Sequence, residues 1–143
     1  MVQTSKPRFD VSLETGPIAR IPAGSDWDQE FTLYLPESQT ADAANSAVLA
    51  GADVVRFRLY DSTSTLVTVT DQAASTNGST LNIETRGTAS TTPARVTVDL
   101  VGADTNQTAG VYQFLVDVQD ANDSSRWQPA CVGLIQVITG PPV

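Results

Sequence analysis

The chain has 143 residues, with 8 basic and 16 acidic side chains, a net charge of −8 and no histidine. This length suits one domain with a single core, since a chain of about 150 residues buries roughly 68–70% of its unfolded surface. The thinly spread negative charge would repel a phosphate backbone, which excludes nucleic-acid binding. The lack of histidine removes the commonest general base and most zinc sites, and leaves carboxylates as candidates for catalysis.

Residues 1–8 lack the apolar stretch of a signal peptide, and no run approaches the ~20 apolar residues that span a bilayer. We therefore expect synthesis in a cytoplasm and no membrane partner. Cys131 is the single cysteine, so no intrachain disulfide can form. It lies in the apolar run 130–135, which predicts a buried thiol.

The first half of the chain predicts an N-terminal arm, three strands and a long insertion. Residues 1–8 form the arm, and period-two alternation predicts strands over 9–13, 18–21 and 26–35. Pro17 and Pro22 lack backbone donors, which places this region at a sheet edge. Residues 37–52 are rich in Ala, Asp and Ser and form the insertion, in which we expect one helical turn over 41–49. This loop is either a partner contact or a passive surface insertion.

The second half predicts six more strands, over 54–60, 66–70, 80–85, 94–100, 111–119 and 127–138. Residues 61–64 and Asn77-Gly78 predict turns, and residues 140–143 form a C-terminal tail. Many short strands without an amphipathic helix indicate an all-β antiparallel sandwich over 9–139. Tyr112, at the start of a late strand, is placed for a corner tyrosine whose hydroxyl bonds to the preceding loop, or for a plain half-buried aromatic.

The candidate sites are few, and each has a structural alternative. The candidates for carboxylate catalysis are Asp26, Asp28 and Glu30 on one strand and Asp117, Asp120 and Asp123 near a hairpin. Alternate carboxylates on a strand more simply predict a solvated face. Asp120, Asn122 and Asp123 could offer calcium oxygen ligands, but such residues also favour turns by themselves. Trp27 and Trp127 could stack on a sugar or belong to the core and its rim. We expect no catalytic residue, metal, cofactor or small-molecule substrate, and no phosphate-loop motif is present.

Several segments in a fixed order resemble a known family. They are 24–33, from Gly24 through Trp27 to Phe31; 49–61, with its Val-Arg-Phe-Arg-Leu-Tyr-Asp run; 96–105; 109–118, with its Gly-Val-Tyr-Gln-Phe run; and Gly133 before the last strand. Together they resemble the immunoglobulin-like sandwich of tailed bacteriophages. The chain is similar to the N-terminal domain of phage upper-baseplate proteins and to small stand-alone phage structural proteins, over about residues 20 to 139.

This resemblance implies a single immunoglobulin-like β-sandwich and a non-enzymatic virion protein, present in multiple symmetric copies, that binds other virion proteins. The expected position is the tail, baseplate or neck, as an adaptor. A head decoration protein and a carbohydrate- or host-surface-binding module remain the alternatives. The expected partner contacts lie in the arm and the insertion: Val2, Lys6, Arg8, Asp42, Asn45 and Leu49. The expected structural residues are Trp27, Phe31, Phe57, Tyr112, Phe114 and Trp127.

Overall fold

The computed structural model describes residues 17–33, 46–121 and 123–139. The predicted arm, the predicted strand over 9–13, most of the insertion and the tail at 140–143 lie outside these residues. The described part is all-β apart from one helical turn. Its elements are β1 (Ala19–Pro22), β2 (Trp27–Thr32), β3 (Val54–Tyr60), β4 (Thr65–Thr70), β5 (Thr80–Thr85), β6 (Arg95–Leu100), α1 (Gly102–Thr105), β7 (Gly110–Asp120) and β8 (Asp123–Ile138).

The described strands form two sheets in a sandwich-like arrangement. One has five strands in the order β1-β8-β7-β3-β4, and the other has three in the order β2-β6-β5. Neighbouring strands are antiparallel, except that β1 runs parallel to β8 at the edge. The edge position of β1 agrees with the sequence prediction for this segment. Pro22, the last residue of β1, has no backbone N–H to donate to a further neighbouring strand.

Three sequence predictions need correction. The last strand, predicted from residue 127, begins at Asp123, because β8 pairs with β7 as far as Asp120. β2 ends at Thr32 instead of continuing to residue 35, although the Leu33 backbone N–H still donates to the Ala94 carbonyl at 2.9 Å. The helical turn expected over 41–49 is not formed by its described part, residues 46–49. Ala47 and Leu49 instead bond to the backbone of Leu33 and Arg86, and both side chains are buried. In residues 46–49 the burial of apolar side chains therefore outweighs the helix propensity of the segment.

The core lies between the two sheets and is centred on three phenylalanines. Phe31 of β2, Phe57 of β3 and Phe114 of β7 are fully buried. The ring centroids of Phe31 and Phe114 are 5.5 Å apart across the sandwich, and those of Phe57 and Phe114 are 5.9 Å apart. These separations suit aromatic pairs and add to the burial of apolar area. Gly133 of β8 stands opposite Phe114, and the ring occupies the space that a side chain would need.

The sequence prediction of a buried thiol at Cys131 is confirmed. The side chain points into the core from β8 at 2% exposure, and burial raises the pKa of the thiol far above its usual range.

Candidate interaction surface

The outer face of the five-stranded sheet carries a network of two arginines and one aspartate. Alternation turns Val55, Phe57 and Leu59 of β3 inward, so Arg56 and Arg58 face outward. Asp117 of β7 is directly opposite Arg56 in the register. It accepts two hydrogen bonds from Arg56, at 3.0 and 2.6 Å, and one from Arg58 at 3.1 Å. The carboxylate is 1% exposed, so a buried charge is compensated by paired, charge-assisted bonds.

Two aromatic rings extend this network. The Arg56 guanidinium carbon lies 3.9 Å from the centre of the Trp127 ring, and that of Arg58 lies 5.2 Å from the centre of the Tyr60 ring. Both separations are within the range of cation–π attraction. Trp127, on β8, is half-buried, and one face of its ring is covered by Arg56.

An apolar stripe lies beside the network. Leu115 of β7 is paired with Val132 of β8, and Leu134 follows two residues further along the same face. These three side chains are half-buried on a face that points away from the core, and Val111 next to them is 57% exposed. Arg20 lies on β1, at the edge of the sheet, and its side chain donates to Gln136 of β8 at 3.0 Å. Apolar, aromatic and arginine side chains on one sheet face are the residue types that protein interfaces favour.

The opposite face of the sandwich has a different character. Asp28 and Glu30 of β2 and Asp99 of β6 point outward from the three-stranded sheet, and Asp28 is directly opposite Asp99. Arg95 is the basic residue of this face and lies 3.4 Å from Glu30. Directly opposed like charges are unfavourable in a sheet, so this face is acidic at some cost in stability.

A buried polar cluster fixes the loops at one end of the sandwich. Asp104 of α1 accepts hydrogen bonds from the Ser75 hydroxyl at 2.6 Å, from the Asn77 amide at 2.7 Å and from the Ser79 hydroxyl. Burial would raise the pKa of Asp104, but the bonds from Ser75, Ser79 and Asn77 together lower it below its usual range. Ser79 Oγ also accepts from the backbone N–H of Val101. The cluster therefore ties the β4–β5 connection to the start of α1, which is a structural role.

Other aspartates act in the same way. Asp26 accepts from the backbone N–H of Gly102, Asp71 from that of Val55, and Asp53 from those of Ala50 and Ala121. Asp61 accepts from Thr63 and Ser64 in the predicted turn, and these bonds lower its pKa. The three carboxylates singled out on and before β2 are thus not one site, because Asp26 bonds to a loop while Asp28 and Glu30 face outward.

The structure supports most of the aromatic predictions. Phe31, Phe57 and Phe114 are core residues, and the Tyr112 hydroxyl donates to the Thr108 carbonyl at 2.5 Å, as predicted for a corner tyrosine. Trp27 is half-buried and packs against the core edge.

The structure contradicts one of the predicted partner contacts and does not describe the others. Leu49 is 2% exposed and belongs to the core, so its side chain is not on the surface. The other predicted partner contacts, Val2, Lys6, Arg8, Asp42 and Asn45, lie outside the described residues, as does Asn122 of the calcium candidate. Sequence reasoning missed the network of Arg56, Arg58 and Asp117. The prediction that Asp117 is solvated is wrong, because this residue is 1% exposed and its carboxylate is bonded to both arginines. Alternation gave each of the three an outward direction, but only the pairing of β3 with β7 brings them together.

Comparisons with protein-family models and with curated proteins return no match. No protein-family model fits the chain, and no curated protein is similar enough to count as a relative. Among the described residues, no group of three or more His, Cys, Asp or Glu side chains is arranged to hold a metal ion. No helix in the described part of the chain is long and apolar enough to cross a membrane.

Proposed function

We propose that the two sheets form an immunoglobulin-like sandwich. The order β2-β6-β5 corresponds to strands B-E-D of that fold, and β8-β7-β3-β4 corresponds to G-F-C-C′. Tyr112 then stands at the corner position of strand F, two residues before Phe114. Phe31 and Phe114 meet where antibody domains place their disulfide between strands B and F, so an aromatic pair replaces the covalent link.

We propose that the chain is a non-enzymatic structural protein of a bacteriophage virion, made in the host bacterial cytoplasm, which binds other virion proteins. The observation that carries this proposal is the outer face of the five-stranded sheet, where an apolar stripe adjoins the Arg56–Asp117–Arg58 network and two aromatic rings. Such a face suits binding to a protein surface, since arginine and aromatic side chains anchor protein interfaces. The resemblance to phage immunoglobulin-like domains supplies the virion setting.

Within the virion, we propose a position at the tail, baseplate or neck, as an adaptor, with head decoration as the second position. Both place several symmetric copies on one particle. Residues 1–8 and the 37–52 insertion are proposed as further contacts, because an extended arm can add a strand to an exposed sheet edge. Lys6 and Arg8 give this arm a positive charge within a chain whose net charge is −8.

A carbohydrate-binding module is the competing function, with Trp127 as its sugar platform. The structure offers it less support, because stacking on a sugar needs a free ring face and Arg56 covers one face of this ring. A glycan-binding screen of the folded protein, with Trp127→Ala as the matched variant, separates the two functions. Binding that this variant abolishes would favour the carbohydrate module.

The deciding experiment is immunogold labelling of purified virions of the source phage, together with quantitative mass spectrometry of their proteins. We expect label at the tail tip or neck and a copy number that matches the symmetry of that part. Label over the head would instead assign the decoration role. Particles whose known structural proteins label well, but which contain none of this chain, would contradict the virion proposal.

The arm has its own test. A chain that lacks residues 1–8 should fold normally and fail to enter particles when it is the only copy supplied. Normal incorporation of this truncated chain would refute the role of the arm and leave the sheet face as the contact.

A further inference from the structure

The two outer faces of the sandwich carry opposite charge. Among the strand residues whose side chains the structure describes, the five-stranded sheet presents Arg20, Arg56 and Arg58 outward together with the carboxylate of Asp117. The three-stranded sheet presents Asp28, Glu30 and Asp99 outward against the single guanidinium of Arg95. The chain therefore has a basic, partly apolar face and an acidic face on its two opposite sides, which we call the basic face and the acidic face.

We propose that copies of this chain associate face to back, with the basic face of one copy against the acidic face of the next. This inference rests on the proposed function only in that a virion component is expected to contact its own copies. Opposite charges on the two surfaces would both attract the copies and orient them. Because the two contacting surfaces differ, the contact is heterologous and produces a ring if the rotation closes, or a stack if it does not.

The charges also argue against a symmetric dimer. Two basic faces brought together would place the arginines of one copy among the arginines of the other, and two acidic faces would do the same with their carboxylates. Like charges placed together across an interface cost several kcal/mol in complexes of known energetics, so charge selects the mixed contact. The mixed contact would also stabilise the acidic face, because an arginine of the neighbouring copy placed near Asp28 and Asp99 would reduce the repulsion between these two carboxylates.

The apolar stripe gives the contact a centre. Val111 is 57% exposed, and Leu115, Val132 and Leu134 continue the stripe across β7 and β8. Apolar side chains surrounded by charged groups are the usual arrangement of a protein interface. The net charge of −8 opposes association over long range, but at physiological salt it is screened beyond about 8 Å, whereas facing groups act at contact.

Two double variants test the proposal without touching the buried network. Arg20→Glu with Val111→Asp disables the basic face, and Asp28→Lys with Glu30→Lys disables the acidic face; all four side chains are exposed. Ala103→Lys with Ala109→Lys is the control, because it adds positive charge at exposed positions that are off both faces. Mass is measured by sedimentation velocity from about 0.01 to 1 mM protein at physiological salt.

We expect the wild type and the control to associate as concentration rises, and each face variant to bind itself at least about tenfold more weakly. The decisive sample is the mixture of the two face variants. Each retains the face that the other lacks, so the mixture should associate although neither variant associates strongly by itself. High salt should weaken the association.

Three results would overturn the proposal: a wild type that stays monomeric at 1 mM, an acidic-face variant that dimerises by itself, or a mixture that stays monomeric while the wild type associates. These outcomes are independent of particle location. Association in solution by a chain that is absent from virions would refute the proposed function alone, and a monomeric chain found in virions would refute this inference alone.

Discussion

Replacement of Asp104 should show how much the buried cluster contributes to the stability of this fold. The carboxylate is 3% exposed and accepts bonds from Ser75, Asn77 and Ser79. Asp104→Ala leaves these three donors without their acceptor, and each such loss costs about 1–3 kcal/mol in a buried site. The hydroxyls can rotate toward other acceptors, so we take the lower end and expect the free energy of unfolding to fall by about 3 kcal/mol.

Urea unfolding at pH 7, followed by tryptophan fluorescence, measures this loss. A chain of this size has an m-value of about 1–3 kcal/mol/M, so the midpoint should fall by roughly 1–3 M. Asp28→Ala is the matched control, because it removes an exposed carboxylate and should change the unfolding free energy by no more than about 0.5 kcal/mol. If Asp104→Ala unfolds within 0.5 kcal/mol of the wild type, the cluster does not stabilise the fold as we argue.

The pH dependence supplies an independent check through Asp104→Asn, which keeps the shape of the side chain but not its charge. The folded state lowers the pKa of Asp104, so the ionised carboxylate contributes stability that is present above the unfolded pKa of about 3.9 and is lost as pH falls through the folded value. The wild type should therefore exceed Asp104→Asn in stability at pH 7, and the difference should shrink below about pH 4. A difference in stability that grows as the pH falls would contradict the argument that folding lowers the pKa of Asp104.

Three further experiments test the core and its edge: removal of a hydrogen bond, overpacking at a glycine, and chemical labelling of the buried thiol. Tyr112→Phe removes the corner hydrogen bond and should lower the unfolding free energy by about 1 kcal/mol, whereas an unchanged urea midpoint would show that the bond adds nothing. Gly133→Ala would place a methyl group 2.5 Å from the Phe114 ring and should cost about 1–3 kcal/mol by thermal or urea unfolding. Gly51→Ala, whose added methyl group meets nothing within 4 Å, should be close to neutral, and equal losses in the two variants would contradict the overpacking argument. Cys131 should resist a thiol reagent in the native protein and react on unfolding, because burial raises its pKa; rapid native labelling would place the thiol at the surface.

Local pattern was sufficient for the limits of four strands. The predicted limits of the strands over 54–60 and 80–85 match β3 and β5 residue for residue, and the predicted limits of β4 and β6 differ by one residue at one end. Period-two alternation depends only on neighbouring residues, so it can be read without knowing the partner strand. The burial of Cys131 and the turn at 61–64 followed in the same way, since each depends on residues close in the chain.

The interaction surface could not be predicted from local sequence pattern. Arg56 and Asp117 are 61 positions apart in the chain, and they meet because β3 pairs with β7 in one particular register. A shift of that register by one residue would turn each side chain toward the other face of its sheet. The cluster around Asp104 has the same origin, because Ser75 is 29 positions before it.

The sequence by itself therefore determined which segments are strands, which side chains on each strand face inward and that the described chain is all-β. Only the tertiary structure decided which strands are neighbours, that β1 runs parallel to β8, and that basic and acidic side chains are separated onto opposite faces. The physical reason is the range of the interactions. Alternation and turn chemistry act over a few residues, whereas strand pairing joins distant segments through the packing of one shared core.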